Sequence, residues 1–229
     1  MEKTRDIIAS IPLFSGLPRD QLDDVTRIAL DKYFNKGQVI FSEGDEADGF
    51  YVVIEGLVKI FKLSFEGKEQ ILHIFGPGEP FGEVPVFSGQ EFPAHAETLA
   101  ESHLVFFPKD AFTALIHENP SLALNMLAVL SMRLRQFTVK IEDLSLKEVP
   151  GRLAAYLLYL AGEMASEEAV ELSISKQQLA ALLGTIPETL SRILAKMSKQ
   201  GLIQVDGRRI QLLDRPGLED LATAGKVLA

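Results

Sequence analysis

The sequence predicts an α+β protein with an N-terminal β barrel, one long helix and a C-terminal helical module that ends in a hairpin. Three observations support this prediction. Nine of the 17 glycines fall between Gly37 and Gly89, where they separate short apolar runs. An apolar repeat with steps of three and four residues then extends from Leu127 to Leu144. The last third of the chain has helical spacing, followed by two short strands around Gly207.

The composition excludes several classes of function. The 229 residues are 47% hydrophobic and 24% charged, which is typical of a folded globular protein. Cysteine is absent, so disulfides, iron–sulfur clusters with cysteine ligands and thiol nucleophiles are excluded. No stretch reaches the roughly 18 apolar residues of a membrane span, and residues 1–13 lack the apolar run of a signal peptide. We therefore expect a cytoplasmic protein without a membrane partner.

The net charge of −9 is unevenly distributed. Residues 1–145 carry 13 Lys and Arg against 22 Asp and Glu, whereas residues 146–229 carry ten of each kind. Within the second part, residues 174–212 carry six basic side chains against two acidic ones. A short cationic segment on an acidic protein predicts a local surface that binds an anion.

The glycine-rich region predicts short strands. Apolar and basic residues mostly alternate over residues 58–63, as in a half-buried strand, and Glu66-Gly67 after them predicts a hairpin turn. Many short strands with glycine turns favour a β sandwich or a jelly-roll barrel. Residues 19–30, ahead of the barrel, have helical spacing. The expected strands include residues 38–41, 50–54, 57–63 and 70–75.

Residues 119 to 146 predict one amphipathic helix whose apolar residues have the a/d spacing of a coiled coil. Two interpretations are open: a seam between two copies, or a face packed on its own domain. The apolar stripe is narrow for a packed surface helix, which favours the two-chain coiled coil. The intervening polar residues are expected on a solvated flank: Arg133, Arg135, Gln136, Lys140, Glu142 and Asp143. The predicted dimer interface is Leu127, Leu130, Leu134, Phe137, Ile141 and Leu144.

Two short helices follow near the C-terminus. Ser175 can cap a first helix through residue 183, with Gln178 at the capping-box position. Pro187 starts a second helix that runs to about Lys199, and a tight turn at Gly184 joins the two. Two such helices followed by a hairpin predict a winged helix-turn-helix.

The second helix has a polar face opposite its apolar residues Ile193, Leu194 and Met197. Arginine can bond guanine, glutamate can accept from cytosine, and hydroxyls bind phosphates. The alternative is an ordinary helical hairpin with a solvated face. On the DNA-binding interpretation, the contact residues are Lys176, Gln178, Glu188, Thr189, Ser191, Arg192, Lys196 and Arg208, flanked by Lys199 and Arg209.

These motifs resemble the Crp/Fnr family of bacterial transcription regulators over nearly the whole chain. The similar segments are 175–184 and 187–194 in the DNA-binding motif, 81–83 at the start of the ligand cassette, and 149–153 in a hinge. We expect the long helix to break at the hinge and a new helix to run from Arg152 to Met164. The resemblance implies a barrel like a cyclic-nucleotide-binding domain over residues 1–118, a dimerisation helix over 119–147 and a winged helix-turn-helix domain over 148–229.

The resemblance also implies a homodimer that binds an inverted repeat in double-stranded DNA, with RNA polymerase as a further partner. Glu188, Ser191 and Arg192 match the positions at which the Fnr branch reads its half-site. Pro187 stands where the cyclic-AMP-receptor branch has a second base-reading arginine. This departure favours a half-site that contains TGA. We expect an effector in the barrel to shift the packing of the long helices and so to control DNA affinity.

The expected effector is not cyclic AMP. Family members that bind cyclic nucleotides hold the phosphate with an arginine about ten residues after a Gly-Glu pair. That position is Phe92 or Pro93 here, and no Lys or Arg lies between Lys68 and Lys109. A buried phosphate without a partner would cost several kcal/mol. A cyclic-nucleotide-responsive regulator is the alternative.

The chain is most similar in pattern to the Dnr/HcpR branch, which is thought to sense nitric oxide through haem. On this resemblance haem is the candidate cofactor, and the candidate axial ligands are His73 and His95 on predicted strands. The predicted effector pocket is lined by Phe81, Gly82, Glu83, Val84, Phe92, Phe137 and Thr138.

A cupin-like metalloenzyme is the alternative from another class, because cupins have the same double-sheet architecture. Cupin sites need several histidines on neighbouring strands, whereas the four histidines here are isolated at positions 73, 95, 103 and 117. No phosphate-binding loop or catalytic triad motif occurs in the sequence. We therefore expect a protein that is not an enzyme.

Overall fold

The computed structural model describes residues 8, 9, 11–164, 166 and 168–224. The chain divides into two compact units, Met1–Arg135 and Gln136–Ala229, and one long helix runs across the division. Each unit has its own buried apolar side chains and its own β sheet. The predicted domain boundaries at residues 118 and 147 remain predictions, because the helix belongs in part to each unit.

The first unit contains two four-stranded antiparallel sheets, as expected for the predicted jelly-roll barrel. The strand order is β1-β8-β3-β6 in one sheet and β2-β7-β4-β5 in the other. The strands are β1 (Leu30–Phe34), β2 (Val39–Phe41), β3 (Gly49–Glu55), β4 (Val58–Leu63), β5 (Glu69–Phe75), β6 (Pro80–Phe81), β7 (His95–Thr98) and β8 (Ser102–Pro108). The helices are a 3₁₀ turn (Pro12–Phe14), α1 (Arg19–Ile28), α2 (Glu83–Ser88), α3 (Lys109–Glu118) and α4 (Pro120–Leu146).

The chain passes from one sheet to the other between β3 and β4, at Gly56. This residue has a φ of 95°, which a side chain rarely tolerates. A Cβ at this position would lie 2.6 Å from the carbonyl oxygen of Glu101. Glycine is therefore required where the two sheets come together.

Aromatic rings fill the core of the first unit. The Phe50 ring lies 5.1 Å from the Phe107 ring and 4.8 Å from the Phe112 ring, and Phe14 packs 5.4 Å from Phe107. All four side chains are buried, and each contributes about 1.5–3 kcal/mol through the apolar surface that it removes from water. This cluster joins β3 and β8 to the N-terminal turn and to α3.

The second unit is helical, with a three-stranded antiparallel sheet in the order β10-β11-β9. Leu153 and Leu157 of its first helix and Leu218 of its last helix are fully buried, and these two helices pack together. The elements are α5 (Val149–Glu163), β9 (Ala169–Glu171), α6 (Lys176–Leu182), α7 (Pro187–Lys199), β10 (Ile203–Asp206), β11 (Arg209–Leu212) and α8 (Arg215–Ala224).

Most of the predicted elements are present, but several boundaries differ. Helix α5 begins at Val149 and not at Arg152, because Pro150 is tolerated in a first turn, where its missing N–H has no helical partner anyway. Helix α1 ends at Ile28, since Leu30 pairs with Phe106 in the sheet. The sequence pattern did not predict α2, α3, β9 or α8, and it did not predict β1, β6 and β8 as separate strands.

Candidate nucleic-acid interface and effector pocket

The first helix of the pair starts with the predicted capping box. The backbone N–H of Gln178 donates to Ser175 Oγ at 3.2 Å, and the backbone N–H of Ser175 donates to Gln178 Oε1 at 2.8 Å. These bonds satisfy two backbone donors at the helix start. The Gln178 oxygen therefore holds the helix start in place, which limits the contact that this residue can make with DNA to its amide nitrogen.

A tight turn connects α6 and α7. Gly184 adopts a φ of 67°, and the N–H of Thr185 donates to the carbonyl oxygen of Ala180 at 2.9 Å. Glycine ends a helix in this left-handed conformation at no steric cost. The turn lets α6 and α7 face each other with buried apolar residues, namely Leu179, Ala180, Leu182, Leu190, Leu194 and Met197.

The opposite face of α7 is polar and exposed. Glu188, Ser191, Arg192 and Lys196 are exposed there, and Thr189 is half-buried. The Arg192 guanidinium donates from Nη2 to Thr189 Oγ1 at 3.1 Å, which orients Arg192 along the helix surface. Five residues that the sequence predicted as DNA contacts thus lie on one helix and carry donors, acceptors and positive charge. This is the chemistry that reads base edges in a major groove.

Basic residues flank α7 on neighbouring elements. Arg208 and Arg209 are exposed at the tip of the β10–β11 hairpin, where Gly207 turns the chain with a φ of 59°. Lys176 is exposed at the start of α6, and Lys199 is exposed at the end of α7. These four cations belong to the same unit as the polar face and could bind phosphates on either side of it.

Helix α4 carries a ridge of exposed apolar side chains. Leu127, Leu134 and Ile141, spaced by seven residues, are 59%, 69% and 65% exposed. Phe137 and Leu144 are also exposed, whereas Leu130 packs against the core of the first unit. The first half of the helix therefore covers its own domain through Leu122, Met126 and Val129 together with Leu130, which was predicted for the seam, while the other five predicted seam residues remain on the surface.

The predicted solvated flank of α4 is wrong at two positions. The side chain of Arg133 is only 13% exposed, because it lies against the ligand cassette. Lys140 is half-buried, and burial lowers its pKa from 10.5 to about 8. The spacing of apolar residues along α4 could not predict the burial of Arg133 and Lys140, because the flank of a helix can pack against protein as readily as it can face water.

Arg133 is the pocket residue that the sequence analysis missed. Its Nη1 lies 2.6 Å from Oε1 of the buried Glu83, and its Nη2 donates to the carbonyl oxygen of Pro80. Its guanidinium carbon lies 4.8 Å from the centre of the Phe75 ring, within the range of a cation–π contact. Local sequence pattern did not indicate this contact, because Arg133 and Glu83 are 50 residues apart in the chain.

Aromatic rings pack around the start of the ligand cassette at residues 81–83. The Phe92 ring stacks on Phe41 at 3.7 Å with an angle of 7° between the planes, and Phe81 stacks on Tyr51 at 5.3 Å. Gly82, with a φ of 76°, lies so close that a Cβ there would be 3.2 Å from the Phe92 ring. Aromatic carbon thus fills the space in front of the N-terminus of α2.

The predicted pocket residues divide into two groups. Phe81, Gly82, Glu83 and Phe92 lie together at the cassette. Phe81 and Phe92 pack against the Phe41 ring, Gly82 lies against the Phe92 ring, and Glu83 pairs with Arg133. Val84 is next to them in the chain but is 58% exposed. Phe137 and Thr138 are exposed residues of the second unit, and their part in the pocket stays a prediction.

An open cavity of about 590 Å³ lies beside the cassette, lined by Glu43, Gly44, Gly89, Gln90, Glu91, Phe92 and Pro93. Its nearest lysine is already engaged. Lys62 contacts the Glu43 carboxylate and donates to the carbonyl oxygen of Pro93 at 2.9 Å. The positive charge at this loop is therefore balanced by a carboxylate.

The two candidate haem ligands have different surroundings. His95 Nδ1 accepts a hydrogen bond from the N–H of Glu43 at 3.1 Å, so its proton lies on Nε2, 3.8 Å from the Glu43 carboxylate. Neither nitrogen of a neutral His95 offers a lone pair to iron in this state. His73 Nε2 lies 3.7 Å from Glu79, and metal-binding histidines commonly have a carboxylate as second partner. A carboxylate thus lies beside Nε2 of each histidine, and the role of His73 as a haem ligand stays a prediction.

Within the described residues, no group of three or more His, Cys, Asp or Glu is arranged to hold a metal ion. The carboxylates and histidines named above occur singly or as pairs. None of the helices that the structure describes is long and apolar enough to cross a bilayer.

A β barrel with an aromatic cassette, followed by a winged helix-turn-helix with a polar, cationic face, defines a class of DNA-binding regulators with a sensor domain. Two family models match the chain: the cyclic nucleotide-binding domain over residues 31–119 and the Crp-like helix-turn-helix domain over residues 151–221. The chain belongs to the Crp/Fnr family of transcription regulators, as its motifs predicted.

Individual relatives are similar over nearly the full length. The CRP-like cAMP-activated global transcriptional regulator of Mycobacterium tuberculosis is 30% identical over 213 residues, which are 91% of this chain and 95% of the relative. The crystal structure of DNR from Pseudomonas aeruginosa is 36% identical, spans 96% of this chain and 97% of its own, and has a TM-score of 0.52. FixK2 from Bradyrhizobium japonicum is 26% identical over 85% of this chain and 97% of its own, with a TM-score of 0.76. The named regulators are not enzymes, as predicted.

Proposed function

We propose that the protein is a homodimeric regulator that binds an inverted repeat with TGA in each half-site. The exposed polar face of α7 carries this proposal. Arg192 would bond guanine, Glu188 would accept from cytosine, and Ser191 would complete the contact. Two copies related by a two-fold axis would place one such helix in each of two successive major grooves.

The dimer would form through the apolar ridge of α4. Exposed Leu127, Leu134 and Ile141 supply one line of the a/d seam, and Phe137 and Leu144 supply the other. Apolar residues at this spacing bury their surface when two helices wrap around each other. An exposed ridge of this length on a helix whose other side covers the core supports the two-chain interpretation.

We infer that the barrel does not respond to cyclic AMP, although the Mycobacterium tuberculosis relative is named as cAMP-activated. The Phe41–Phe92 stack covers the start of α2, and the side chains of Phe92 and Pro93 carry no charge. Lys62, the cation at this loop, is paired with Glu43. A cyclic phosphate here would lose its water without gaining an unpaired cation, which is unfavourable by several kcal/mol.

The effector chemistry that we propose is nitric oxide bound to haem, as in the Dnr/HcpR branch. The haem iron would supply the binding site for nitric oxide. This chain would supply His73 as the axial ligand, oriented by Glu79, and the aromatic surroundings of Phe81. The 36% identity to DNR supports the branch assignment.

An effector in the cassette could reach the dimer helix through Arg133. This side chain binds Glu83 in the cassette and precedes Leu134 of the ridge. A change in the cassette would therefore alter the position of α4 and shift the population of dimers whose recognition helices match the operator. RNA polymerase is the further partner that we expect for a regulator of this family.

Gel retardation tests the DNA-binding proposal. The probe is a duplex with an inverted TGA repeat, and the controls are the same duplex with one half-site scrambled and with both scrambled. We expect preferential binding of the intact repeat by the untreated protein or by the protein loaded with haem and nitric oxide. Equal retardation of all three duplexes under every condition would contradict the proposal.

Absorbance spectroscopy tests the effector proposal. We expect haem to give a shifted Soret band with the wild-type protein, and nitric oxide to shift it again. The His73→Ala variant should not show the Soret shift that haem causes in the wild-type protein, whereas the His95→Ala variant should show it. A wild-type spectrum identical to that of free haem would refute haem binding.

A further inference from the structure

Helix α7, the proposed recognition helix, starts with apolar residues, whereas its other exposed residues are polar except for Ala195. Ile186 is the N-cap residue and is 48% exposed, and Pro187 follows it at the first helical position and is also exposed. Isoleucine has no side-chain oxygen for capping, and the helix start has no side-chain cap. Isoleucine is among the poorest residues at this position. Helix stability therefore does not account for the presence of Ile186.

Packing does not account for it either. Helix α7 is held in its unit by the buried side chains of Leu190, Leu194 and Met197, which lie further along the helix. About half of the Ile186 side chain is exposed, so it gains only part of the stabilisation that burial provides. The exposed part projects at the end of the helix that carries Glu188 and Arg192.

We propose that Ile186, with Pro187 beside it, contacts the C5-methyl group of a thymine in the half-site. The N-terminal residues of a recognition helix lie nearest to the base edges. The thymine methyl is the apolar group on the major-groove edge of a base pair. Side chains without donors or acceptors can distinguish bases only by such a contact. This inference rests on the proposed DNA-binding function and adds a specificity-determining residue to it.

The inference can be tested by removing the methyl group from the DNA. The operator is first defined by selection from a random duplex library, and each thymine is then replaced singly by deoxyuridine. We expect one thymine per half-site at which the replacement weakens binding about fourfold, the effect of one methyl group removed from an apolar contact. Replacements at the other thymines should leave the affinity within about twofold.

Variants locate the contact on the protein. Ile186→Ala should lower the affinity for the thymine operator and abolish the difference between thymine and uracil at the sensitive position. Leu213→Ala is the matched control, because Leu213 is an aliphatic residue of the same unit that is 54% exposed outside α7. This variant should keep the fourfold difference.

The outcomes separate this inference from the proposed function. Sequence-specific binding that is equally strong for thymine and uracil at every position would overturn the inference and leave the DNA-binding function intact. An Ile186→Ala protein that keeps the fourfold preference for thymine over uracil would also overturn the inference and leave the DNA-binding function intact. Failure of the library to yield any preferred sequence would contradict the DNA-binding function and the inference together.

Discussion

Arg133 Nη1 lies 2.6 Å from Glu83 Oε1, and both side chains are largely removed from solvent. Glu83 is in the first turn of α2 and Arg133 is in the middle of α4, so this ion pair joins the ligand cassette to the helix that carries the apolar ridge. Arg133 also donates to the carbonyl oxygen of Pro80. The pair is thus a direct physical link between the proposed sensor and the proposed dimer interface.

Glu83→Gln tests the strength of this link. It leaves the Arg133 guanidinium in a poorly hydrated position without a countercharge, which should lower the free energy of unfolding by about 3 kcal/mol. Urea unfolding measures the change. Glu219→Gln is the control, since Glu219 pairs with Arg215 on the surface and should contribute less than about 1 kcal/mol. Equal effects of the two variants would show that the Glu83 pair is not buried in solution.

Arg192→Ala should abolish the preference for the operator. A bidentate contact from arginine to guanine contributes about 1–3 kcal/mol, so we expect a loss of about 5- to 150-fold in specific affinity for each half-site, with the dimer intact. Footprinting and sedimentation measure the two properties. Arg19→Ala removes an exposed cation from the first unit and should leave the footprint unchanged. An Arg192→Ala protein that protects the same operator would refute the assignment.

Leu134→Asp or Ile141→Asp should weaken the dimer. Both residues are exposed in the single chain, and association would force the new carboxylate into the apolar seam. Sedimentation over a range of protein concentrations measures the dimer dissociation constant, which we expect to rise by more than tenfold. Gln136→Asp adds the same charge beside the seam, at an exposed position, and should leave the constant nearly unchanged. Dimers of unchanged strength in both seam variants would contradict the proposed interface.

Arg208→Ala should reduce binding to all duplexes alike. Arg208 is exposed at the hairpin tip, where we expect it to bind a phosphate. The variant removes one such cation from each half of the dimer, which should lower the magnitude of the slope of log K against log salt by about 2. The affinity for operator and scrambled DNA is measured at several salt concentrations. Arg215→Ala removes a cation that is paired with Glu219 and serves as control. A slope that stays the same in Arg208→Ala would exclude the phosphate contact.

The buried phenol of Tyr51 should lower the free energy of unfolding at high pH. Burial, together with the charge of Asp48, raises the pKa of Tyr51 from 10.0 to about 12. Between these values the unfolded chain has lost the phenolic proton while the folded chain keeps it. The contribution of Tyr51 to the free energy of unfolding is therefore fully present below pH 10. It is lost as the pH rises towards 12, by about 2–3 kcal/mol for a shift of this size.

Urea unfolding of wild type and Tyr51→Phe between pH 9 and 11.5 measures this effect. We expect the wild-type curve to fall more steeply, and tyrosinate absorbance to show one fewer late-titrating group in the variant. Tyr33→Phe is the control, because Tyr33 is 73% exposed. Parallel pH curves for wild type and Tyr51→Phe would contradict the buried position of this phenol.

Local pattern was sufficient for most of the elements and for the polar face of α7. The capping box of Ser175 and Gln178, the proline at position 187 and the spacing of Leu194 and Met197 are all signals within one or two helical turns, whereas Ile193, predicted on the apolar side, is only partly buried. They determine which side of the helix is buried, so the exposed set follows. The seam of α4 was predictable for the same reason, since its exposure follows a seven-residue repeat.

The pocket could be predicted only in part. The cassette motif located Phe81, Gly82 and Glu83, but the residues that contact them come from distant parts of the chain. Arg133 was assigned to a solvated flank, and Phe41 was one apolar residue among several in a short strand. The hydrogen bond from the Glu43 backbone to His95 could not be inferred, because it joins a turn and a strand at positions 52 residues apart.

The sequence alone therefore determined the order of the barrel, the long helix and the winged module, along with the polar side of α7 and most of the exposed apolar ridge of α4. Those properties depend on periodicity and capping, which act between neighbours in the chain. Tertiary structure decided that Arg133 pairs with Glu83, which rings cover the cassette and that His95 accepts a hydrogen bond from the Glu43 backbone. These properties depend on contacts between residues some 50 positions apart, which form only when the strands and helices pack against each other.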